Sequence, residues 1–233
     1  MSQNSSEEEQ IVALKAFWED YGNFILTAVL AASMAFAGWR YWQVHQRQHH
    51  EEMSLHFQQV MMDYQRAQGK TDPGLNTALQ ADAQKLIAMD PQCAYADMTR
   101  WVLARVAVGH GDLQEATRQL QAVLAHKTEA QMAALTHLRL AQVDIAAGKA
   151  PEAIVQLKAV TDKAYQASRL ELEGDAWMAE HKPDQAKTAY TQARDAMESA
   201  QLPQRPLLNM KMADLGVKPV DPPVATAPGV PAS

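Results

Sequence analysis

Residues 104–123 read ARVAVGHGDLQEATRQLQAV, residues 141–160 read AQVDIAAGKAPEAIVQLKAV, and residues 174–193 read GDAWMAEHKPDQAKTAYTQA. Superposed, these stretches bring Ala116, Ala153 and Ala186 to one position, at spacings of 37 and 33 residues. Twelve positions earlier stand Ala104, Ala141 and Gly174; four positions later Leu120, Leu157 and Tyr190; seven positions later Val123, Val160 and Ala193. Small residues at the first of these positions suit a point where two helices of a hairpin cross closely, and the larger residues that follow can fill the space between hairpins. A turn recurs between the paired helices, as Gly111-Asp112, Gly148-Lys149 and His181-Lys182, with the glycine missing from the third copy. Pro91, in Met89-Asp90-Pro91, stands where such a repeat closes, so residues 75–91 read as the second helix of an incomplete first copy.

A period near 34 residues built from two helices is that of a tetratricopeptide repeat. No single hairpin buries its apolar face, so stacking makes a solenoid with one continuous core and a concave, peptide- or protein-binding surface. In the usual register of such repeats Met98, Trp101 and Arg105, then Leu138, Arg139 and Gln142, then Glu171, Asp175 and Met178 face the groove, and they are the candidate protein-binding residues. Mixed charge and methionine suit an adaptable surface. Trp177 reads as a core residue, while the setting of Trp101 allows core or groove.

Composition agrees with an all-α chain. Ala and Gln are abundant, aromatic residues make up 6%, and alternating β-branched runs are scarce. The chain of 233 residues has room for one membrane helix and one medium-sized domain. A net charge of −6 with no basic stripe argues against nucleic acid as a partner. A lone cysteine, Cys93, cannot form an internal disulfide and reads as a small packed residue.

From Gly22 to Trp39 the sequence GNFILTAVLAASMAFAGW carries no charge, and as a helix it spans about 27 Å, close to a bilayer's hydrocarbon core. Phe17, Trp18 and Tyr21 at one end and Trp39, Tyr41 and Trp42 at the other are arranged as interfacial aromatic belts. Ala35-Phe36-Ala37 would satisfy a signal-peptide cleavage rule, but Glu7, Glu8, Glu9, Glu19 and Asp20 against Lys15 make an acidic leader where a secretory signal begins basic. A retained anchor is expected, with 21–42 as the membrane helix and 1–20 ahead of it. Past the anchor Met53, Phe57, Val60, Met61, Tyr64 and Ala67 share one helical face, giving a juxtamembrane helix over 43–69 that Gly69, Pro73 and Gly74 break. Helices of twelve to twenty residues are expected to follow through the 75–216 domain. The prolines and absent periodicity from Val217 onward make 217–233 a disordered tail.

Chemistry is hard to find. His45, His49, Glu52 and His56 share a helical face but spread over three turns, too far to converge on one ion, so no metal site is expected. His50-Glu51 starts like a zinc-protease motif that fails at Ser54, and phosphate-loop, nucleophile-elbow and dinucleotide fingerprints are absent. Neither catalysis nor a cofactor is expected.

The chain resembles the YfgM family of TPR-like ancillary subunits of the SecYEG translocon. Glu9-Gln10, Ala13-Leu14-Lys15 and Gly38-Trp39-Arg40-Tyr41-Trp42-Gln43 carry the most specific part, supported by Leu138-Arg139-Leu140-Ala141, Gly174-Asp175-Ala176 and Met210-Lys211-Met212. The resemblance runs to about residue 216. It implies a single-pass inner-membrane protein with a cytoplasmic N-terminus and a periplasmic domain that passes exported proteins from the translocon to periplasmic chaperones, with a membrane-anchored PpiD-like chaperone as partner. The charge count, Lys15 against Arg40 and Arg47, taken alone points the other way; so small a difference decides little, and the family's orientation is the expectation. A structural scaffold of the envelope or division machinery is the alternative function for a tethered repeat domain.

Overall fold

The computed structural model describes residues 4–68, 73–203 and 205–217. Among these residues all regular structure is helical: α1 (Asn4–Ala67), α2 (Pro73–Met89), α3 (Ala94–Gly109), α4 (Leu113–Leu124), α5 (Ala130–Ala146), α6 (Ala150–Lys158), a 3-10 turn (Lys163–Tyr165), α7 (Gln166–Ala179), α8 (Pro183–Ser199) and α9 (Pro206–Asp214). The chain divides into two compact units between His56 and Phe57. Gly69, expected as part of a break, and residues 218–233 of the 217–233 tail expected to be disordered lie outside the described residues; Val217 is described and donates its N–H to the Met212 carbonyl at 3.0 Å.

In the first unit α1 carries a stretch long and apolar enough to cross a membrane. Phe24, Leu26, Val29, Leu30, Met34 and Phe36 point outward on successive faces, each more than half exposed, with Phe24 reaching 74%. Exposure to water would forfeit roughly 25 cal/mol for every Å² of this surface, and a helix that is apolar all round is stable when lipid surrounds it. Its few hydroxyls are already satisfied: Thr27 Oγ1 donates to the Asn23 carbonyl at 2.9 Å and Ser33 Oγ to that of Val29 at 2.8 Å, as a dry environment requires. Trp18 and Tyr21 flank one end and Trp39, Tyr41 and Trp42 the other, all exposed; the side chains of Phe17, Asp20 and Ile25 lie outside the described residues.

The second unit is a row of helical hairpins, α3–α4, α5–α6 and α7–α8, preceded by α2 and closed by α9. Ala116, Ala153 and Ala186, the residues superposed in the repeats, have no exposed surface, and Ala104, Ala141 and Gly174 are buried with them. Leu120, Leu157 and Tyr190, and then Val123, Val160 and Ala193, are buried as well. Each hairpin recruits the element that follows. Leu140 and Val143 of α5 complete the cluster around Ala104 and Ala116, Ala176 of α7 that around Ala141 and Ala153, and Leu208 and Met212 of α9 that around Ala186 and Tyr190. No hairpin has a closed core of its own, which is how a solenoid is stabilised.

Inside the third hairpin the repeat position changes from alanine to glycine for a steric reason. A Cβ on Gly174 would run into the Tyr190 ring, so the bulkier residue four places past Ala186 is accommodated by the smallest one on the facing helix.

The turns share one hydrogen-bond pattern. Asp112 N–H donates to the Ala107 carbonyl at 2.9 Å and Gly111 N–H to that of Val108 at 3.0 Å; Lys149 and Gly148, then Lys182 and His181, repeat the pair. This is the left-handed helix cap, with φ of 77° at Gly111, 72° at Gly148 and 57° at His181. Asp112 also caps α4 by accepting from Glu115 N–H at 2.9 Å. A buried ionic knot holds the first hairpin's loops. Asp97, 1% exposed, accepts from Arg100 at 3.1 Å, His126 at 3.0 Å and Thr128 at 3.1 Å, while Arg100 also donates to the Pro91 carbonyl at 2.9 Å.

Two expectations are corrected. Pro73 and Gly74 form the first turn of α2, where proline's missing N–H costs nothing and its φ suits the helix. Helices α6 and α9 have 9 residues each, shorter than the twelve to twenty expected; α6 stops ahead of Val160-Thr161, a β-branched pair, and Pro203 and Pro206 bracket the start of α9.

Ala141 is wholly buried at a helix crossing and Ala147 lies exposed at the end of α5. Ala141→Leu is expected to cost about 1–3 kcal/mol by overpacking and Ala147→Leu much less, measured by thermal unfolding of the Glu51–Gly216 fragment. In the same assay His181→Gly should stabilise by about 1 kcal/mol, because glycine occupies the left-handed region without the steric penalty that a Cβ brings.

Candidate functional site

Between α3, α4 and α5 lies a cavity of about 510 Å³, closed at one side by Phe57 near the end of α1. Met98, Trp101, Arg105 and Val108 line it from α3, Leu113 and Leu120 from α4, and Arg139 and Gln142 from α5. Trp101 is locked in place: its Nε1–H donates to Thr136 Oγ1 at 3.0 Å, and that hydroxyl donates onward to the Met132 carbonyl at 2.7 Å. The Arg139 guanidinium lies over the indole, 3.7 Å from the ring centroid, a stack worth about 1 kcal/mol at a half-buried site. Burial, and then the neighbouring Arg105 charge, hold the Arg139 guanidinium below its ordinary pKa. Its Nη1 is buried without a hydrogen-bond partner among the described residues.

Of the nine groove candidates, Met98, Trp101, Arg105, Arg139 and Gln142 come together on this cavity. Leu138 does not: it is 6% exposed and belongs to the core with Ala141, Ala153 and Leu157. Consecutive helical residues point about 100° apart, so Leu138 and Arg139 cannot share a face, and the apolar one takes the core. Glu171 and Asp175 are tied into an ionic cluster on the third hairpin. Glu171 accepts from Arg205 at 2.9 Å and Lys211 at 3.2 Å, and Asp175 from Lys211 at 2.8 Å and the Tyr190 hydroxyl at 2.7 Å. Met178 is exposed near the end of α7. Trp177 packs against the third hairpin's core, with Lys182 Nζ 5.0 Å from its ring centroid.

Phe57, Val108 and Leu113 were not among the sequence candidates. Phe57 is separated from the repeats by α2, and the other two flank a turn, where helical periodicity carries no signal. Elsewhere, the His45 ring stacks parallel on Tyr41 at 6.4 Å, and among the described residues no three His, Cys, Asp or Glu are placed to hold a metal ion. Cys93 caps α3, its Sγ accepting from Ala96 N–H at 3.4 Å. Burial pushes its thiol pKa up, so at neutral pH it is a protonated, packed group.

Paired helices closed by one recurrent cap, stacked so that each completes the last and leaving a cavity among them, define a TPR-like helical domain. The chain belongs to the tetratricopeptide repeat-like domain family, whose profile matches residues 15–217. Three relatives bear the name ancillary SecYEG translocon subunit, in keeping with the YfgM resemblance. One from Aggregatibacter actinomycetemcomitans is 27% identical over 84% of this chain and 92% of that protein. One from Haemophilus influenzae is 25% identical over 92% and 100%, and one from Escherichia coli 27% identical over 54% and 57%. No solved structure matches the chain.

Burial, then the hydrogen bond to Asp175 and the charges of Asp175 and Glu171, push the Tyr190 phenol above its ordinary pKa of 10.0. Its neutral form is therefore favoured by folding, a contribution fully present below pH 10 and lost as pH rises beyond it. Tyr190→Phe should cost about 1 kcal/mol at pH 8 through the lost hydrogen bond and reduce the fall in stability above pH 10; urea unfolding at pH 8 and near pH 10.5 checks both.

Proposed function

We propose that this protein is a membrane-anchored, non-catalytic adaptor of the SecYEG translocon that holds exported clients, or the chaperone that receives them, by protein–protein contact. The observation that carries this reading is the cavity itself: an apolar, arginine-rimmed recess, built around an anchored Trp101, on a repeat domain whose chain also holds an apolar span suited to a membrane. The names of the relatives support translocon association. A membrane-anchored PpiD-like chaperone is the partner the resemblance favours, with the N-terminus in the cytoplasm and the repeat domain in the periplasm of a Gram-negative inner membrane. A recess of this size and lining suits side chains of a docked polypeptide.

Val108 stands on the cavity at 44% exposure. A photocrosslinking amino acid placed there in cells should form adducts with SecYEG subunits, an envelope chaperone or exported chains. An alkaline phosphatase reporter fused after Leu215 should be active. Adducts with no envelope protein would overturn the adaptor reading, and an inactive exported reporter beside an active cytoplasmic one would overturn the orientation.

A further inference from the structure

We propose that the cavity selects partner segments in which a glutamate or aspartate neighbours a bulky apolar side chain, the carboxylate pairing with Arg105 and Arg139 and the apolar group lying against Met98, Trp101 and Val108. This rests on the protein-binding reading and names the chemistry of what binds.

Charge accounting carries the inference. Among the described residues of the helical unit, Arg66, Arg100, Arg118, Arg169, Arg194 and Arg205 each have a carboxylate partner: Asp63, Asp97, Glu115, Glu173, Asp195 and Glu171 respectively. Arg105 and Arg139 have none, although the chain as a whole carries a net charge of −6. Acids are plentiful, yet among the described residues no acidic side chain lines this cavity. Two like charges at one low-polarity recess repel, and a bound anion is what relieves them.

The guanidinium is also prepared for such a partner. Stacking on Trp101 holds Arg139 as a flat plate, and Trp101 is itself held through Thr136. Little conformational freedom therefore remains to be lost when a planar carboxylate meets its edge. A ligand bearing only charge would leave the apolar walls unused, and one without charge would leave both arginines uncompensated. Gln142, exposed at the same wall, supplies a further donor and acceptor.

The test uses the full chain in phosphatidylcholine nanodiscs and two rhodamine-labelled peptides with blocked ends, Gly-Ser-Leu-Phe-Glu-Leu-Ser-Gly and its Gln counterpart, followed by fluorescence polarisation. The Glu peptide should bind at least about five-fold more tightly in dilute salt, and the difference should shrink as salt screens the pair. Arg105→Gln, on an exposed side chain, should narrow the difference by weakening the Glu peptide more than the Gln peptide, and adding Arg139→Gln should abolish it. If the Arg139 variant loses its unfolding transition, Arg105→Gln and the salt series decide. Equal binding of the two peptides, absence of binding by either, or a difference that survives loss of Arg105 and added salt overturns the proposal. Envelope adducts at Val108 alongside equal peptide binding would leave the adaptor reading standing without carboxylate selection; their absence would remove both.

Discussion

Close approach of two helices at small side chains is the constraint on which the rest of the domain depends. Ala104 with Ala116, Ala141 with Ala153, and Gly174 with Ala186 are buried as pairs along the three hairpins. Only with the backbones this near do Leu120, Leu157 and Tyr190 reach into the next layer, and only then do α5, α7 and α9 find the apolar surfaces that complete the cores before them. The consequence is a chain of mutual dependence, in which stability is a sum of neighbouring contacts without any single centre.

Backbone caps and buried charges secure the ends of these hairpins in different ways. The left-handed cap at Gly111, Gly148 and His181 satisfies carbonyls that a helix end leaves open. At the first hairpin Asp97 gathers Arg100, His126 and Thr128; at the last, Glu171 and Asp175 gather Arg205, Lys211 and Tyr190. The Asp97–Arg100 pair is buried, and such a pair adds little net stability against a well-packed apolar alternative, but leaving one member unpaired costs about 3–5 kcal/mol; the Glu171 and Asp175 pairs reach partly exposed partners and are worth less. They therefore bind the chain to one arrangement of its loops, and α9 closes the row in part through Lys211.

The cavity differs from those clusters in having charge without compensation. Where Glu171 and Asp175 are neutralised within the fold, Arg105 and Arg139 are not. Among the described residues of the second unit the other arginines are paired, and these two are left beside an anchored tryptophan; separately, α1 carries an apolar stretch long enough to cross a membrane.

Much of this was legible without coordinates. The spacing of Ala116, Ala153 and Ala186 and the uncharged run from Gly22 to Trp39 determined hairpins and a membrane-length helix, because burial at a crossing and burial in lipid each impose a composition that a linear pattern records. The cavity's partial outline was legible too, through Met98, Trp101, Arg105, Arg139 and Gln142. Only tertiary structure decided that Leu138 turns to the core, that Glu171 and Asp175 are consumed by Arg205 and Lys211 more than thirty residues away, and that Phe57 closes the cavity across an intervening helix. A helix's sequence shows which residues share a face, but which charge finds a partner depends on elements distant along the chain and brought together only by folding.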